Sequence, residues 1–241
     1  MVAEIKDAEL TKLNEGFEEA ETSEILRWAW KTFGENVAAT SSFQTQSMPL
    51  LKLISIHAPE IRIFFLDTGF HFPETHEVIE DLQSRLGLRI ETLVPIMGHD
   101  GFKEAYGNLY ETNPQMCCYL NKVEPLKRAL RGYQAWISGI RRDQTPHRAG
   151  TPILRRQDDG VIKICPMANW TGEQVARYVE VEDLPAHPLS AKGYRSIGCA
   201  PCTRPVSAQE EDDRVGRWSG QEQTECGLHF EHSIREERSP E

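Results

Sequence analysis

Five of the six cysteines in this sequence form a pattern that could support two kinds of chemistry. Cys117-Cys118 and Cys199-Ala200-Pro201-Cys202 offer four thiolate ligands of the soft type that zinc and iron–sulfur centres select. Cys226 stands apart within Glu225-Cys226-Gly227-Leu228-His229, where a single thiol could act as a nucleophile. The pattern predicts four cysteines that hold a metal centre and one that reacts.

The spacing leaves three interpretations of the four cysteines open. Cys199-x-x-Cys202 is common to zinc and iron–sulfur sites, whereas adjacent side chains such as those of Cys117 and Cys118 normally point apart. Two ligands from one dipeptide suit an extended iron–sulfur cluster better than a single tetrahedral ion. A structural zinc, or buried cysteines without a metal, are the alternatives.

The composition indicates a soluble globular protein of a reducing compartment. The 241 residues are 39% hydrophobic and 27% charged, enough for a substantial core. The sequence has neither a signal-peptide pattern nor a membrane-spanning stretch, and its uneven cysteine spacing is unlike a secreted disulfide framework, so we expect a cytoplasmic location and no membrane contact. The net charge of -10 argues against broad nucleic-acid binding, while a locally basic middle suits a small anion.

Alternating strand-like and helix-like stretches predict an α/β fold: a single domain with a mainly parallel, Rossmann-like twisted sheet flanked by helices. We expect N-terminal helices over residues 1–34, a nucleotide-binding α/β core over residues 35–185, and a C-terminal segment over residues 186–241. That segment reads as partly mobile and packed on the same domain, and it carries the Cys-x-x-Cys and Cys226. Polar loops at residues 41–47, 67–71 and 140–148 follow predicted strands, where parallel sheets bind ligands.

The loop Ser42-Phe43-Gln44-Thr45-Gln46-Ser47 lies between a strand and a helix, where backbone N–H groups could bind an oxyanion. Its spacing resembles the Ser-Gly-Gly-x-Asp-Ser loop of ATP pyrophosphatases, with both outer serines kept. The glycines and the acidic residue are missing, so we do not expect cleavage of ATP beside a metal. A serine-rich helix N-terminus is the alternative interpretation.

Longer motifs resemble the assimilatory adenylyl-sulfate (APS) reductases, which are relatives of the phosphoadenylyl-sulfate (PAPS) reductases. The motifs are Cys117-Cys118-Tyr119-Leu120-Asn121-Lys122, Ser138-Gly139-Ile140-Arg141-Arg142-Asp143-Gln144, Leu66-Asp67-Thr68-Gly69-Phe70-His71 and Glu225-Cys226-Gly227-Leu228-His229. The resemblance covers roughly residues 35–230 and implies an adenine nucleotide alpha-hydrolase-like fold. One departure is Gln44, where family members often carry glycine.

The resemblance implies a cofactor, a reaction and a set of site residues. Cys117, Cys118, Cys199 and Cys202 would bind a 4Fe–4S cluster. Cys226 would attack the sulfur of APS, and thioredoxin or glutaredoxin would release sulfite from the resulting S-sulfonate. Lys122 and His229 are the other expected catalytic residues. Substrate contacts are expected from Ser41, Ser42, Phe43, Gln44, Asp67, Thr68, Gly69, Arg141, Arg142, Arg204 and Arg217, whose cations would neutralise sulfate and phosphate.

Alternatives to APS reduction differ in substrate or in class. The nearest is the same reaction on PAPS. An iron–sulfur RNA thiolase of the pyrophosphatase type is more distant, because the loop is degenerate and the chain acidic. A non-catalytic zinc protein would leave Cys226 without a role. Cys165 fits no motif and is expected to be a small buried residue, His71 is expected to shape the nucleotide pocket, and the resemblance allows a homo-oligomer.

Overall fold

Helices and strands alternate along most of the chain. The computed structural model describes residues 5–207, 209–210, 212–218, 225 and 227–229, and of His229 it describes the backbone only. The strands are β1 (Val37–Ser41), β2 (Arg62–Leu66), β3 (Arg89–Leu93), β4 (Ala135–Ser138), β5 (Leu154–Arg156) and β6 (Ile162–Ile164). The helices are α1 (Asp7–Phe17), α2 (Thr22–Phe33), α3 (Met48–His57), α4 (Pro73–Leu86), α5 (Gly98–Tyr106), α6 (Leu109–Thr112), α7 (Pro114–Cys118), α8 (Glu124–Ala129) and α9 (Gly172–Val181).

Short turns of other helical types join these elements. A π-helical turn, Tyr119–Val123, links α7 to α8. The 3-10 turns are Gly34–Asn36, Thr45–Ser47, Arg142–Gln144, Pro146–Arg148, Pro188–Lys192, Ala200–Cys202 and Gly227–His229. After α9 the described part of the chain consists of such turns and loops, so its position depends on contacts with the sheet and its helices.

The six described strands form one sheet in the order β3-β2-β1-β4-β6-β5. β1 pairs in parallel with β2 and β4, β3 is parallel to β2, and β6 is parallel to β4. β5 runs antiparallel to β6 at the edge. The predicted α/β class with a mainly parallel sheet is confirmed. The sequence analysis did not predict β5, which has three residues and no clear alternation to reveal it.

Apolar side chains cover both faces of the sheet, as parallel sheets require. Alternate residues of β2 face opposite ways: Ile63 and Phe65 pack in a large cluster with α2, α3 and α4, and Phe64 packs in a smaller cluster with α8. In β4, Ile137 joins the large cluster and Trp136 the smaller one. Packing on both faces fixes the strands, so side chains at the ends of neighbouring strands have defined relative positions.

The loop between β1 and α3 turns sharply at Phe43. Its φ of +53° lies in the left-handed region, which costs a residue with a side chain about 1–3 kcal/mol. The ring offsets this cost because it is fully buried and packs edge-on against Phe65, with the centroids 5.6 Å apart. The backbone N–H of Phe43 also donates to Ser41 Oγ over 3.0 Å. Phe43 therefore anchors the loop in the core.

Two expectations from the sequence concern the chain as a whole: that it makes no membrane contact, and that it divides into three parts. None of the described helices is long and apolar enough to cross a lipid bilayer. The division of the chain at residues 34 and 185 stays a prediction.

We predict that replacing Ile137 by alanine destabilises the fold by about 2–5 kcal/mol, because a buried side chain in a packed strand leaves a cavity. Ile56→Ala is the matched control. Its side chain is 53% exposed on α3, and its loss should change stability by no more than about 0.5 kcal/mol. Urea unfolding curves measure both, and equal destabilisation by the two changes would contradict the assignment of β4 to the core.

Candidate active site

The four cysteines of the two predicted ligand pairs line one small cavity, here called the cysteine cavity. Cys117 and Cys118 end α7, while Cys199 precedes a 3-10 turn and Cys202 ends it. Three of the sulfurs belong to buried residues, and Cys202 is half-buried. The backbone N–H of Ala200 donates to the carbonyl of Phe70 over 2.7 Å, which fixes the second pair beside the sheet. The structure thus brings together residues about eighty positions apart in the sequence.

A π-helical turn explains how adjacent cysteines can line the same cavity. Tyr119–Val123 follows Cys118 directly and widens the helix between α7 and α8. Such turns occur mostly as single-turn bulges inside α-helices and are frequent at functional sites. Asn121 and Lys122, within this turn, are both buried and line the cysteine cavity as well. The sequence carries no signal for the π turn, so this geometry could not be predicted.

Polar side chains contact two of the sulfurs. Asn121 Nδ2 donates to the Cys117 carbonyl at 2.9 Å and lies 3.7 Å from Cys117 Sγ. Thr68 Oγ1 lies 3.3 Å from Cys199 Sγ. Burial, followed by the charges of Cys199 and Cys202, raises the pKa of the Cys117 thiol to about 12. Four thiolates could therefore coexist here only around a compensating positive charge.

The donor set suits a thiophilic centre, although the described residues do not form a finished ion site. Thiolates with N–H and O–H donors around them are the surroundings in which iron–sulfur clusters are held. Within the described part of the chain, no three histidine, cysteine or carboxylate side chains are arranged to hold a metal ion.

A second cavity, here called the cleft, lies at the carboxyl ends of β1, β2 and β4. Its floor is formed by Ser41, Ser42, Gln44, Ser47, Ser138 and Gly139, and its walls by His71, Lys122, Arg148, Gly198, Arg214, Arg217, Trp218 and Leu228. The side-chain amide oxygen of Gln44 accepts a hydrogen bond from the N–H of Ile197 over 2.9 Å, which ties the C-terminal part of the chain to the loop. The location matches the rule that ligands bind beyond the carboxyl ends of parallel strands.

The cleft is strongly cationic. Lys122, Arg148, Arg214 and Arg217 all line it. Arg217 lies over the Trp218 ring, with the guanidinium carbon 4.5 Å from the ring centre. The Arg217 Nε atom is buried and has no hydrogen-bond partner among the described residues. An unsatisfied buried donor is costly, and a bound anion could supply the missing acceptor at this wall of the cleft.

His71 is neutral at physiological pH. Burial is the largest cause, and the charge of Lys122 the next, of a fall in the pKa of His71 to about 4. Its Nε2 lies 2.9 Å from the Leu66 carbonyl, so Nε2 carries the proton and donates. His71 lines the cleft, and its role in shaping a nucleotide pocket stays a prediction.

Several predicted substrate contacts have other positions. The Phe43 side chain is in the core, and Thr68 faces the cysteine cavity. Asp67 accepts from the Gly69 N–H over 2.9 Å, and both residues form the turn after β2. Gly69 has a φ of +74°, and a Cβ atom there would lie 2.9 Å from the His99 ring, so this glycine serves the turn.

Three of the four predicted arginines also point elsewhere. Arg141 is buried behind the β1–α3 loop, where it pairs with Asp143 at 2.9 Å. Arg142 binds Glu18 at the end of α1, over 2.7 Å, and its hydrogen bond is the main cause that lowers the pKa of Glu18 to about 2. Arg204 pairs with Glu210 over 2.9 Å in the C-terminal segment. Within the described residues, the cleft arginine of that set is Arg217.

Sequence reasoning did not list Arg148, Arg214 or Glu225 among the expected substrate contacts, although Arg214 was a candidate cation near Cys226. Arg148 and Arg214 line the cleft, and Glu225 is bound to both. The available signals were the basic residues at positions 141–148 and the acidic residue next to Cys226, but neither fixes which cation faces the cleft.

Cys226 lies outside the described residues, as does the side chain of His229. The neighbours of Cys226 are described: Glu225 is bound to cleft arginines, and Leu228 lines the cleft. A larger cavity adjoins the cleft at Ile140, Arg148 and Leu228 and has Cys165 in its wall. Cys165 is 1% exposed, which confirms the expected buried residue, and burial raises its thiol pKa to about 11.

These features define a class of protein: an α/β fold with a mainly parallel sheet, a cationic cleft at the carboxyl ends of its strands and a four-cysteine cavity beside the cleft. Residues 36–205 match the family described as "Phosphoadenosine phosphosulfate reductase domain". The chain belongs to this family.

Similar proteins agree with that placement. Adenosine 5'-phosphosulfate reductase of Halalkalibacterium halodurans is 41% identical over 91% of this chain and 96% of its own length. Adenosine 5'-phosphosulfate reductase 2 of Bacillus subtilis is 44% identical over 86% of this chain and 89% of its own. The crystal structure of phosphoadenylyl-sulfate (PAPS) reductase from Candida auris, a phosphate complex, has a TM-score of 0.74 at 29% identity, covering 86% of this chain and 100% of that one.

A more distant structural likeness shows the fold alone. FMN adenylyltransferase of Candida glabrata, in complex with FMN and an ATP analogue, superposes with a TM-score of 0.55 at 14% identity, covering 90% of this chain and 84% of that one.

We predict that Gly198→Ala weakens the binding of inorganic phosphate about tenfold or more. The new Cβ atom would lie 2.6 Å from the Arg217 guanidinium carbon, so this flexible side chain must leave its place while the backbone stays. A lost hydrogen bond to a charged group accounts for the size of the effect.

Gly150→Ala is the control, because nothing lies within 4 Å of the Cβ that it adds. Titration calorimetry measures both variants, with thermal unfolding to check the fold. Equal phosphate affinity in Gly198→Ala and in the unchanged protein would show that Arg217 does not contribute to phosphate binding.

Proposed function

We propose that this protein reduces adenylyl sulfate to sulfite and AMP, with the two electrons supplied by a dithiol protein of the thioredoxin or glutaredoxin type. The support that carries most weight is that Lys122 lines both the cysteine cavity and the cationic cleft. A thiophilic centre and an anion site are therefore neighbours. The names of relatives 41–44% identical, all adenosine 5'-phosphosulfate reductases, favour APS as the substrate.

The proposed reaction has two stages. The Cys226 thiolate attacks the sulfur of the bound sulfate, a sulfur–sulfur bond forms, and the sulfur–oxygen bond to AMP breaks. Then a thiolate of the dithiol partner attacks Cys226 Sγ and releases sulfite, leaving a mixed disulfide. The second thiol of the partner resolves it, so the partner ends as a disulfide and Cys226 as a thiolate. Two electrons and two protons leave the partner, which balances the reduction.

The cleft residues contribute charge and position. Arg217, Arg214 and Lys122 would offset the negative charge of sulfate and phosphate, and that charge must be accommodated before a thiolate can approach. Backbone N–H groups after β1, with Ser42 and Gln44, would hold the nucleotide end. Neutral His71 adds no competing charge, since its pKa of about 4 keeps the ring uncharged at physiological pH.

Cys117, Cys118, Cys199 and Cys202 would hold a 4Fe–4S cluster. The shared cavity and the contacts of Asn121 and Thr68 with two of the sulfurs support a thiolate-bound centre, and the adjacent pair Cys117-Cys118 favours an extended cluster over one zinc ion. When bound, the cluster would supply an electrostatic field beside the sulfate, because the electrons of the reduction come from the dithiol. Because Lys122 lines both cavities, its ammonium group would lie between the cluster and the substrate and interact electrostatically with both.

Reduction of PAPS is the second candidate. It is favoured by the match to a PAPS reductase structure at a TM-score of 0.74. The two candidates differ by one 3′-phosphate on the ribose. Either reaction needs reduced thiols and a dithiol partner, so we propose that the protein works in the cytoplasm.

Sulfite release with thioredoxin tests the proposal. We predict that anaerobically purified protein releases sulfite from APS, and that Cys226→Ser lowers release to the background rate because the nucleophile is gone. Cys165→Ala is the control; it removes a buried thiol away from the cleft chemistry and should leave release within about twofold. Mass spectrometry should show an S-sulfonate on Cys226 before thioredoxin is added.

The result depends on the substrate offered. Sulfite from APS alone supports the first candidate, and sulfite from PAPS alone supports the second. Iron-loaded protein that releases sulfite from neither nucleotide would contradict both.

A further inference from the structure

Glu225, the residue before Cys226, is a buried carboxylate that binds two of the arginines lining the cleft. Its side chain is 1% exposed, the lowest exposure of any described carboxylate. Arg148 donates to it twice, from Nε over 3.1 Å and from Nη2 over 2.5 Å. Thr145 Oγ1 donates over 2.8 Å, and Arg214 Nη2 over 3.4 Å. Four donors thus hold one carboxylate, which is more than a surface ion pair would need.

The partners of Glu225 come from the two parts of the chain that the reaction must bring together. Thr145 and Arg148 follow β4, whose carboxyl end forms the floor of the cleft. Arg214 belongs to the C-terminal segment and lines the same cleft. Arg148 is 5% exposed and also donates to Gln144, so its guanidinium has a fixed direction. A rigid arginine with a bidentate contact locates a carboxylate in both distance and orientation.

The chain after Cys226 is held as well. A Cβ atom on Gly227 would lie 3.2 Å from Val123 Cγ2 and 3.8 Å from Cys118 Cβ, so the backbone here runs close against the π turn that carries a predicted cluster ligand. Leu228 packs against the smaller apolar cluster that includes Trp136. The residues on both sides of Cys226 therefore have defined contacts at the cleft.

The ionised form of Glu225 is the one that these contacts stabilise. Burial alone would raise its pKa, but the hydrogen bonds and charge of Arg148, with the charge of Arg214, outweigh burial and hold the pKa of the carboxyl below its usual value. A neutral amide would keep the shape and lose the charge. Replacing one carboxylate oxygen of Glu225 by an NH2 group is therefore expected to weaken its ion pair with Arg148.

We propose that Glu225 is a positioning residue: its carboxylate, bound by Arg148, Thr145 and Arg214, holds the thiol of Cys226 at the cationic cleft for attack on the substrate. This inference rests on the proposed function of Cys226 as the nucleophile. It assigns to Glu225 no contact with the reacting atoms. Its alternative is an ion pair that stabilises the fold and acts on the thiol only as a nearby negative charge, without holding it in place.

The two interpretations predict opposite shifts in the titration of Cys226. If Glu225 is only a nearby charge, removing it leaves the thiol among Lys122, Arg148, Arg214 and Arg217 and lowers the thiol pKa. If Glu225 holds the segment in place, removing it lets the thiol leave those cations, and the thiol pKa rises toward that of an ordinary cysteine.

Glu225→Gln tests the proposal in the full-length, iron-loaded protein. The pH dependence of iodoacetamide labelling at Cys226, followed by mass spectrometry, should show a higher apparent pKa than in the unchanged protein. Steady-state sulfite release from APS should show kcat lowered about tenfold or more with KM not raised, and S-sulfonate formation in a single turnover should slow equally. Glu225→Asp, which keeps the charge, should recover part of the rate.

Glu124→Gln is the matched control, because Glu124 forms a two-oxygen pair with Arg128 on α8, outside the cleft. It should leave the labelling profile and kcat unchanged. Should Glu225→Gln fail to fold or to retain iron, Thr145→Val removes one donor only and should move both readouts in the same directions by a smaller amount.

Three results would overturn the inference: an unchanged or lowered labelling pKa, an unchanged kcat, or a loss confined to KM. The labelling profile requires no turnover. Its outcome is therefore separate from that of the proposed function, whose failure is a wild-type protein that forms no S-sulfonate from APS.

Discussion

The site depends on one buried ammonium group. Lys122 is 9% exposed and lines both the cysteine cavity and the cleft. Burying a cation is costly unless negative charge lies nearby, and burying several thiolates is costly unless positive charge does. The cysteines on one side and an anionic substrate on the other would supply what the ammonium needs. In the proposed function, Lys122 would therefore lie between the cluster and the anionic substrate and interact with both.

The fold meets this requirement by packing the irregular chain after α9 against the carboxyl edge of the sheet. The sheet fixes the carboxyl ends of β1 and β4, and the π turn places Lys122 beside them. The chain after α9 then crosses this edge, bound by polar contacts such as Ile197 N–H to Gln44 and Ala200 N–H to Phe70. This part of the chain contributes Cys199 and Cys202 to the cysteine cavity and Arg214 and Arg217 to the cleft, together with Glu225, which binds Arg214. Function lies on the segment with the least regular structure, and the sheet provides the precision.

Local patterns in the sequence predicted the frame and the cysteines, and long-range pairing limited the rest. The buried strands β2 and β4 are apolar runs that end in polar loops, so their type and the ligand-binding edge were both predictable. The arginines were not, because a guanidinium is fixed by whichever carboxylate it meets. Arg142 meets Glu18, 124 positions away, and Arg148 meets Glu225, 77 positions away. Phe43 illustrates a third limit: a glycine-like φ is stabilised there by a ring contact that spacing does not reveal.

Lys122→Ala, assayed for sulfite release from APS together with iron content, tests the central claim most directly. Lys127→Ala, an exposed lysine on α8, is the control. The account predicts that Lys122→Ala keeps its iron and loses about tenfold or more of its turnover, since a charged hydrogen bond to the substrate is lost. Full turnover in an iron-loaded Lys122→Ala protein would contradict the claim that this ammonium joins the cysteine site to the reaction.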